Sequence, residues 1–374
     1  MARTLPATVA GREVIFGAGV HAAIYAATRA AVGYAPPIVF EQNLATGGVF
    51  AQLTEFRMNS VNAASVQSVR AGGPSRIVPL SPVDDLNWLP NSAHQVRDRG
   101  GAWEYPSSGA MCRSVQLTLK DHADVYTGAR GMTYNRRCQV FTEAGDEMGM
   151  AKRIILAGGV VPKDDIPRGA AIMSGFDFLR KPVQDLAPLK IAIVGAGDTA
   201  AQVAEFMVGQ GLTAPSTFPV QIDWYGKDSI PGTKDGWMVT AHARWAGLGR
   251  HFPQQDNVLT GVIHPFRARG QVTSLGKTAM VNGQVYDLVV MCTGVKPAPA
   301  PCPVLVPDVY TVNGMNVAKA NGSQTLDGSP TLFTIGIAAS LQAVYKPYRS
   351  RFTAAQEAIY NLGPRTAALA ASLK

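Results

Sequence analysis

A chain of 374 residues, 47% hydrophobic and only 16% charged, is long enough for two or three domains and too apolar to be disordered. Its net charge of +8 comes without a block of like charges and without a Lys/Arg stripe interleaved with aromatics, which argues against a nucleic-acid partner. No apolar run reaches the ~18 residues a membrane span needs, so no membrane segment is expected.

The first predicted unit is β-α-β over residues 13–41. Val14-Ile15-Phe16 runs into Gly17-Ala18-Gly19-Val20-His21-Ala22, and a helix follows over about 20–31 with Val20, Ala23, Ile24, Ala27 and Ala31 at helical spacing. Pro36-Pro37 introduces a second strand, Ile38-Val39-Phe40, which ends at Glu41. Residues 44–106 carry Gly, Pro, Asn and Ser without periodicity, together with Trp88 and Trp103; an irregular stretch of that length inside a domain is usually functional. Met111, Val115 and Leu119 then predict a helix over 108–122, and residues 125–162 alternate as a small antiparallel meander. That meander closes on an apolar strand, Arg153-Ile154-Ile155-Leu156-Ala157-Gly158-Gly159.

Asp185-Leu186-Ala187-Pro188 has the composition of a linker, and a second β-α-β unit starts after it. Ile191-Ala192-Ile193-Val194 runs into Gly195-Ala196-Gly197-Asp198-Thr199-Ala200, followed by a helix over about 199–210 and a strand over about 219–225. Residues 226–256, with Trp237 and Trp245, break the pattern; residues 285–294 form a further buried strand. Pro297-Ala298-Pro299-Ala300-Pro301 predicts a stiff return, followed by the strand Leu332-Phe333-Thr334-Ile335-Gly336 and a terminal helix over about 350–362. The expected architecture is an α/β fold with two Rossmann-like dinucleotide-binding domains. The second, 185–300, is inserted into the first, which comprises 1–184 and 301–374.

The chemistry lies in the repeated motif. G-x-G-x-x-G/A between a strand and a helix lets the backbone approach a pyrophosphate at the helix N-terminus. One copy is weak evidence; two copies in the right context imply two dinucleotide sites. Glu41, at the end of the second strand, sits where a carboxylate accepts hydrogen bonds from a ribose diol. The second unit instead ends Asp223-Trp224-Tyr225-Gly226-Lys227, and a cation just beyond the strand suits a 2′-phosphate, which leans towards NADPH over NADH.

With these residues in view the chain resembles the flavoproteins with two dinucleotide-binding domains, the superfamily of thioredoxin reductase, glutathione reductase and the flavin-containing monooxygenases. The resemblance covers nearly the whole length. Gly17, Gly19, Ala22 and Glu41, with Gln42 beside it, match the FAD-binding start, and Gly47-Gly48-Val49-Phe50 resembles the second glycine pair along the flavin. Leu156-Ala157-Gly158-Gly159 and Met291-Cys292-Thr293-Gly294 resemble the two returns between domains. Gly195, Gly197, Asp198 and Thr199 are close to the nicotinamide-domain motif, and Gly336-Ile337 follows the strand that meets the ribityl chain. The resemblance therefore implies FAD on Gly17, Gly19, Ala22, Glu41, Gln42, Gly47, Gly48 and Phe50, closed by Ala157, Gly158, Gly336 and Ile337. It implies NAD(P)H on Gly195, Gly197, Asp198, Thr199, Lys227, Thr293 and Gly294. Asn59 and Tyr348 are the candidate catalytic side chains, each expected near the flavin.

Departures from the family narrow the function. The four cysteines, Cys112, Cys138, Cys292 and Cys302, form no C-x-x-C, which excludes a dithiol relay and fits a reducing, cytoplasmic setting. Gly336 is followed by Ile337 where the reductases usually carry Asp, a loss seen in monooxygenase-like members. The longer hydroxylase fingerprint F-x-G-x-x-x-H is missing, and the six histidines show no metal-ligand spacing. The leading expectation is an FAD-dependent, NAD(P)H-using monooxygenase-like enzyme acting on a small molecule with O2, with homo-oligomerisation left open. Two alternatives stand beside it: a reductase passing electrons to a protein such as ferredoxin, and a flavin-binding oxidase or non-catalytic flavoprotein that does not use nicotinamide.

Overall fold

The computed structural model describes residues 4–51, 108–135, 137–163, 166–180, 186, 189–195, 197, 199–200, 202–204, 206–207, 221–227, 263–298, 309–312, 315–318, 332–336 and 363–373. In chain order the first part contributes β1 (Glu13–Phe16), α1 (Val20–Ala31), β2 (Ile38–Glu41), a 3-10 turn (Gly48–Ala51), α2 (Ser108–His122) and β3 (Asp124–Thr127). There follow β4 (Thr133–Tyr134), β5 (Gln139–Phe141), β6 (Glu147–Met150), β7 (Arg153–Leu156) and β8 (Val160–Pro162). The middle holds β9 (Ile172–Ser174), α3 (Gly175–Arg180), β10 (Lys190–Val194), β11 (Gln221–Tyr225), β12 (Ile263–Phe266), β13 (Val272–Ser274), β14 (Ala279–Val281), β15 (Gln284–Tyr286) and β16 (Leu288–Met291). The last part has β17 (Val295–Pro297), β18 (Val309–Val312), β19 (Met315–Ala318), β20 (Leu332–Thr334) and α4 (Gly363–Ser372).

Two five-stranded sheets organise these elements, ordered β20-β7-β1-β2-β3 and β12-β11-β10-β16-β9, and every pairing within them is parallel. Parallel sheets are covered on both faces, so their strands carry unbroken apolar runs rather than alternation. Ile154-Ile155 in β7, Ile191-Ala192-Ile193-Val194 in β10 and Leu288-Val289-Val290-Met291 in β16 are buried throughout. The first sheet takes its last strand, β20, from beyond the second sheet, so the second β-α-β unit is inserted within the first. The antiparallel triplet β4-β5-β6 is inserted in sequence between β3 and β7 of the first sheet, and β13-β14-β15 between β12 and β16 of the second.

Several sequence expectations change in detail. The stretch 125–162 is not one meander. Its opening strand, β3, joins the first sheet in parallel beside β2, and only β4–β6 are antiparallel to one another. The apolar run 285–294 breaks at Asp287, whose backbone N–H donates to Lys190 O while its carboxylate accepts from Lys190 N, pinning the corner between β15 and β16. β9 already belongs to the second sheet, ahead of the linker composition at 185–188. Of the expected stiff return, Pro297 to Pro301, residues 299–301 lie outside the described residues, and the three residues up to Pro297 are a strand. That strand, β17, pairs antiparallel with β8, so the chain's exit from the first unit and its return lie side by side. The expected helix at 350–362 lies outside the described residues. α4 begins at Gly363-Pro364, a dipeptide that breaks a helix interior but is tolerated in a first turn.

Helix α1 is buried along nearly its whole length, from Val20 to Arg29, with α2 and α4 packed against it. Its far end is held by a charged cluster. Glu13 accepts from Arg29 Nε and Nη2, both at 2.9 Å, from Arg153 Nη1 at 2.7 Å and from Tyr25 Oη at 3.2 Å. Two guanidiniums on one carboxylate leave a surplus positive charge in a buried place. Arg29 Nη1 meets it by donating to Ala370 O and Leu373 O at the negative end of α4, and the Tyr34 ring lies 3.5 Å from the guanidinium. Removing one member of such a cluster strands the rest. Glu13→Gln should therefore lose about 3–5 kcal/mol of unfolding free energy in a denaturant titration.

Candidate functional site: two glycine turns at two switch points

In an open parallel sheet, ligands bind where the strand order reverses. The first sheet reverses between β1 and β7, the second between β10 and β16, and each glycine fingerprint occupies that position. The two turns are built alike. Gly17 N donates to Phe40 O and Ala157 N to Phe16 O, both at 2.8 Å. Gly195 N donates to Tyr225 O at 2.8 Å and Cys292 N to Val194 O at 2.6 Å. Gly17 has φ +101°, and a Cβ there would lie 2.5 Å from Ala157 O. Gly195 has φ +126°, and its Cβ would collide with Cys292 O. At both turns a backbone carbonyl stands where any side chain would be, so only glycine fits.

Around the first turn the structure brings together most of the expected FAD contacts. Gly48 stacks on Gly19, with its Cβ position 3.1 Å from Gly19 Cα, and Gly47 N donates to Ala18 O at 2.9 Å. Thr46, just before that pair, is held by α2 through Gln116 Nε2 at 3.1 Å. Helix α1 starts after Gly19 with no side-chain cap and no acidic residue in its first turn, which leaves its N–H groups and positive dipole end for an anion. Glu41 is buried. Its Oε2 accepts from Ala18 N at 2.8 Å, and its Oε1 accepts from Asn43 N at 2.9 Å and Nδ2 at 2.6 Å. The carboxylate thus braces the glycine turn itself, and Oε2 retains a lone pair for a ribose hydroxyl. Gln42 is exposed next to it and Ala22 is buried inside α1. Phe50 lies in the 3-10 turn; Asn59, Ile337 and Tyr348 lie outside the described residues.

In the sequence His21, in the first turn of the helix, reads either as a neighbour of a bound pyrophosphate or, more commonly, as an exposed residue. In the structure it is 9% exposed, its Nδ1 lies 3.1 Å from Thr366 Oγ1 on α4, and its ring fills the space over Gly336, whose Cβ position is 2.6 Å from His21 Cδ2. Burial lowers its pKa from the usual 6.5 to about 4, so the imidazole is neutral at physiological pH.

The second turn gathers Gly195, Gly197, Thr199, Thr293 and Gly294. Gly197 is exposed with open space above it. The Gly195 carbonyl accepts from Trp224 Nε1 at 2.6 Å, an anchor with no counterpart on Val39, the matching position of β2. Cys292 is buried beside this turn, and burial pushes its thiol pKa up. Asp223 does not face the nucleotide end. It is buried, accepting from Tyr286 Oη at 2.5 Å and Gln221 Nε2 at 2.6 Å. In register, Phe40 pairs with the last residue of β1 and Tyr225 with the last residue of β10, so Gly226 occupies the place that Glu41 holds in the first unit. Exposed Lys227 follows it; Asp198 lies outside the described residues. The β8–β17 ribbon passes both turns: Gly158 faces Ala298, whose N–H donates to Gly159 O at 3.1 Å, and Gly294 lies 3.6 Å from Lys163 Cε by its Cβ position. Lys163 carried no motif and was invisible in the sequence.

Among the described residues, no group of three His, Cys, Asp or Glu side chains could hold a metal ion, and no helix is long and apolar enough to cross a membrane.

Solved structures match along nearly the full chain. An ornithine N-hydroxylase from Kutzneria sp. 744 has TM-score 0.57 at 14% identity, covering 97% of this chain and 98% of its own, and its structure is of reduced FAD, NADP+ and L-ornithine bound to that protein. A bacillithiol disulfide reductase from Bacillus cereus has TM-score 0.54 at 13% identity, covering 97% and 99%. A flavin-containing monooxygenase from Stenotrophomonas maltophilia has TM-score 0.51 at 15% identity, covering 96% of each. The fold is that of the two-dinucleotide-domain flavoproteins. No family model and no curated protein matches the sequence.

His21 has a consequence for acid stability. Its folded pKa of about 4 lies below the unfolded value, so the unfolded chain takes up the proton first as pH falls. The neutral imidazole is fully compatible with the fold above about pH 6.5, and stability is lost from there down towards pH 4. Melting of the ligand-free protein should show His21→Leu losing less stability than the natural chain between pH 7 and 5, by on the order of 2 kcal/mol.

Proposed function

We propose that this chain is an FAD-dependent, NAD(P)H-using oxidoreductase that oxidises a small molecule with O2. The observation that carries the reading is the pair of glycine turns at two switch points, each closed by a backbone carbonyl and both passed by one two-stranded ribbon. The first turn suits the resident dinucleotide. It has the braced Glu41 for a ribose, the uncapped start of α1 for a pyrophosphate, and a second glycine pair stacked on the first. When bound, the flavin supplies the redox chemistry, taking electrons from the nicotinamide and passing them on. The chain's own residues bind and orient the two carriers.

The cysteines argue against disulfide chemistry. No two neighbour one another in the sequence, Cys138 is buried at the β4–β5 hairpin, and the Cys292 thiol is held protonated by burial. A lone thiol attacks a disulfide without the partner that would resolve the mixed intermediate. That leaves O2 and a small molecule as the better partners, and the likeness to a monooxygenase and an N-hydroxylase supports the same side.

The purified protein should be yellow, bleach on anaerobic NADPH, and then consume O2 while oxidising its substrate. Gly17→Val should be colourless or insoluble, whereas Gly195→Val should stay yellow and fail to bleach. A flavin that bleaches and then reduces ferredoxin rapidly, with no oxygenated product, would move the protein to the electron-transfer reductases; a protein that holds no flavin would overturn the reading.

NADPH is the nicotinamide carrier this reading favours. A carboxylate at the end of the second strand selects a ribose diol and repels a 2′-phosphate. Here that place is Gly226, with Lys227 next to it. Gly226→Asp should shift the kcat/KM ratio towards NADH by about tenfold or more, and Lys227→Ala should raise the KM for NADPH.

A further inference from the structure

We propose that His21 is a ligand contact of the first dinucleotide site, its Nε2 donating a hydrogen bond to a phosphate oxygen of the FAD seated at the start of α1. The proposal rests on the flavin reading above and goes beyond it by giving this side chain a defined bond to the ligand. His21 stands in the first turn of α1, whose N-terminus has no side-chain cap, and it is more than nine-tenths buried. One ring nitrogen is accounted for: Nδ1 lies 3.1 Å from Thr366 Oγ1, itself fully buried on α4. In the proposed tautomer the threonine hydroxyl donates to Nδ1 and the proton resides on Nε2. Yet Nε2 is buried and, among the described residues, has no hydrogen-bond partner. A buried donor left unpaired is costly, and an anion at the helix start removes that cost.

The ring's placement points the same way. Its Cδ2 edge, next to Nε2, abuts Gly336, the turn that ends β20. The following residue in the sequence is Ile337, which carries no charge. Helix α4 adds to the field. Thr366, near its start, meets the start of α1, while Ala370 and Leu373, at its end, meet Arg29 near the end of α1, so the two helices run parallel. Both positive dipole ends therefore face the corner that holds His21. A neutral donor there adds a directional bond without adding a buried charge.

The test titrates flavin-stripped protein with FAD, following quenching of flavin fluorescence, in the natural chain, His21→Gln and His21→Leu. His21→Leu should weaken FAD binding about tenfold or more, and His21→Gln, which keeps an N–H donor, should weaken it less. Because a variant can fail by misfolding, histidine-15N NMR of the natural protein gives an independent readout. The Nε2 of His21 should be protonated without ligand and should shift on FAD addition with the same Kd. Unchanged FAD affinity in His21→Leu, or a His21 Nε2 signal indifferent to saturating FAD, would overturn the proposal while leaving the flavin site standing. A natural chain that binds no FAD at all would overturn the flavin reading beneath it.

Discussion

The contact on which the two sites depend is a backbone carbonyl placed where a side chain would otherwise be. At the end of β1, Ala157 O occupies the Cβ position of Gly17; at the end of β10, Cys292 O occupies that of Gly195. Those carbonyls belong to the residues at which the chain leaves β7 and β16, the strands on the far side of each reversal in strand order. Strand exit, helix entry and glycine turn are therefore packed backbone against backbone. Any larger residue pushes the exit away and opens the crevice that makes the switch point a binding place. The close approach explains why the exit segments carry small residues too: Ala157-Gly158-Gly159 in one unit and Cys292-Thr293-Gly294 in the other. The two exits then run directly into β8 and β17, whose antiparallel pairing fixes one turn's surroundings relative to the other's.

The units share this frame but differ in what they add to it. In the first, Glu41 reaches back from β2 to the Ala18 amide, so a charged acceptor closes the turn and remains at the rim. In the second, that position is Gly226, and the turn is held from below by the Trp224 indole on the Gly195 carbonyl. A neutral donor buried under the turn replaces a carboxylate beside it. The second unit therefore has no acidic side chain at the position that Glu41 holds in the first, a difference in chemistry within a shared fold.

Most of this frame was legible in the sequence because its signals are local. The strand-turn-helix boundaries of β1, α1 and β2 follow from a four-residue buried strand, alanine-rich helical spacing and a proline pair, and the structure agrees with them. Glu41 was found by its distance from the glycines. What escaped depends on partners distant along the chain. β17 went unread because its pairing partner, β8, is more than a hundred residues earlier. α4 was missed because Gly363-Pro364 signals a break anywhere except at a helix start. Asp287 looked like one more residue of an apolar strand until its bonds to Lys190 made it a corner. The Asp223 carboxylate was ambiguous by alternation alone, and only the packing of β15 over it, through Tyr286, turns it inward.

His21 shows most plainly why sequence position and chemical environment are separate facts. A histidine in the first turn of a helix is solvated if nothing lies over it. Here α4 and the turn after β20 both lie over it, and both come from the last part of the chain. The same helix also reaches the opposite end of α1, where its terminal carbonyls receive Arg29 and so share the Glu13 cluster. Helix α1 is thus held at its start through an imidazole and at its end through a guanidinium, by one helix running alongside it. The end with the charged cluster is paired within the protein: two cations, one carboxylate and helix carbonyls bond one another. The start is not, since one ring nitrogen and the uncapped first turn remain open. The two ends of the helix thus differ in chemistry: charged partners from the chain meet at one, while the other keeps free N–H groups of the kind that receive an anion.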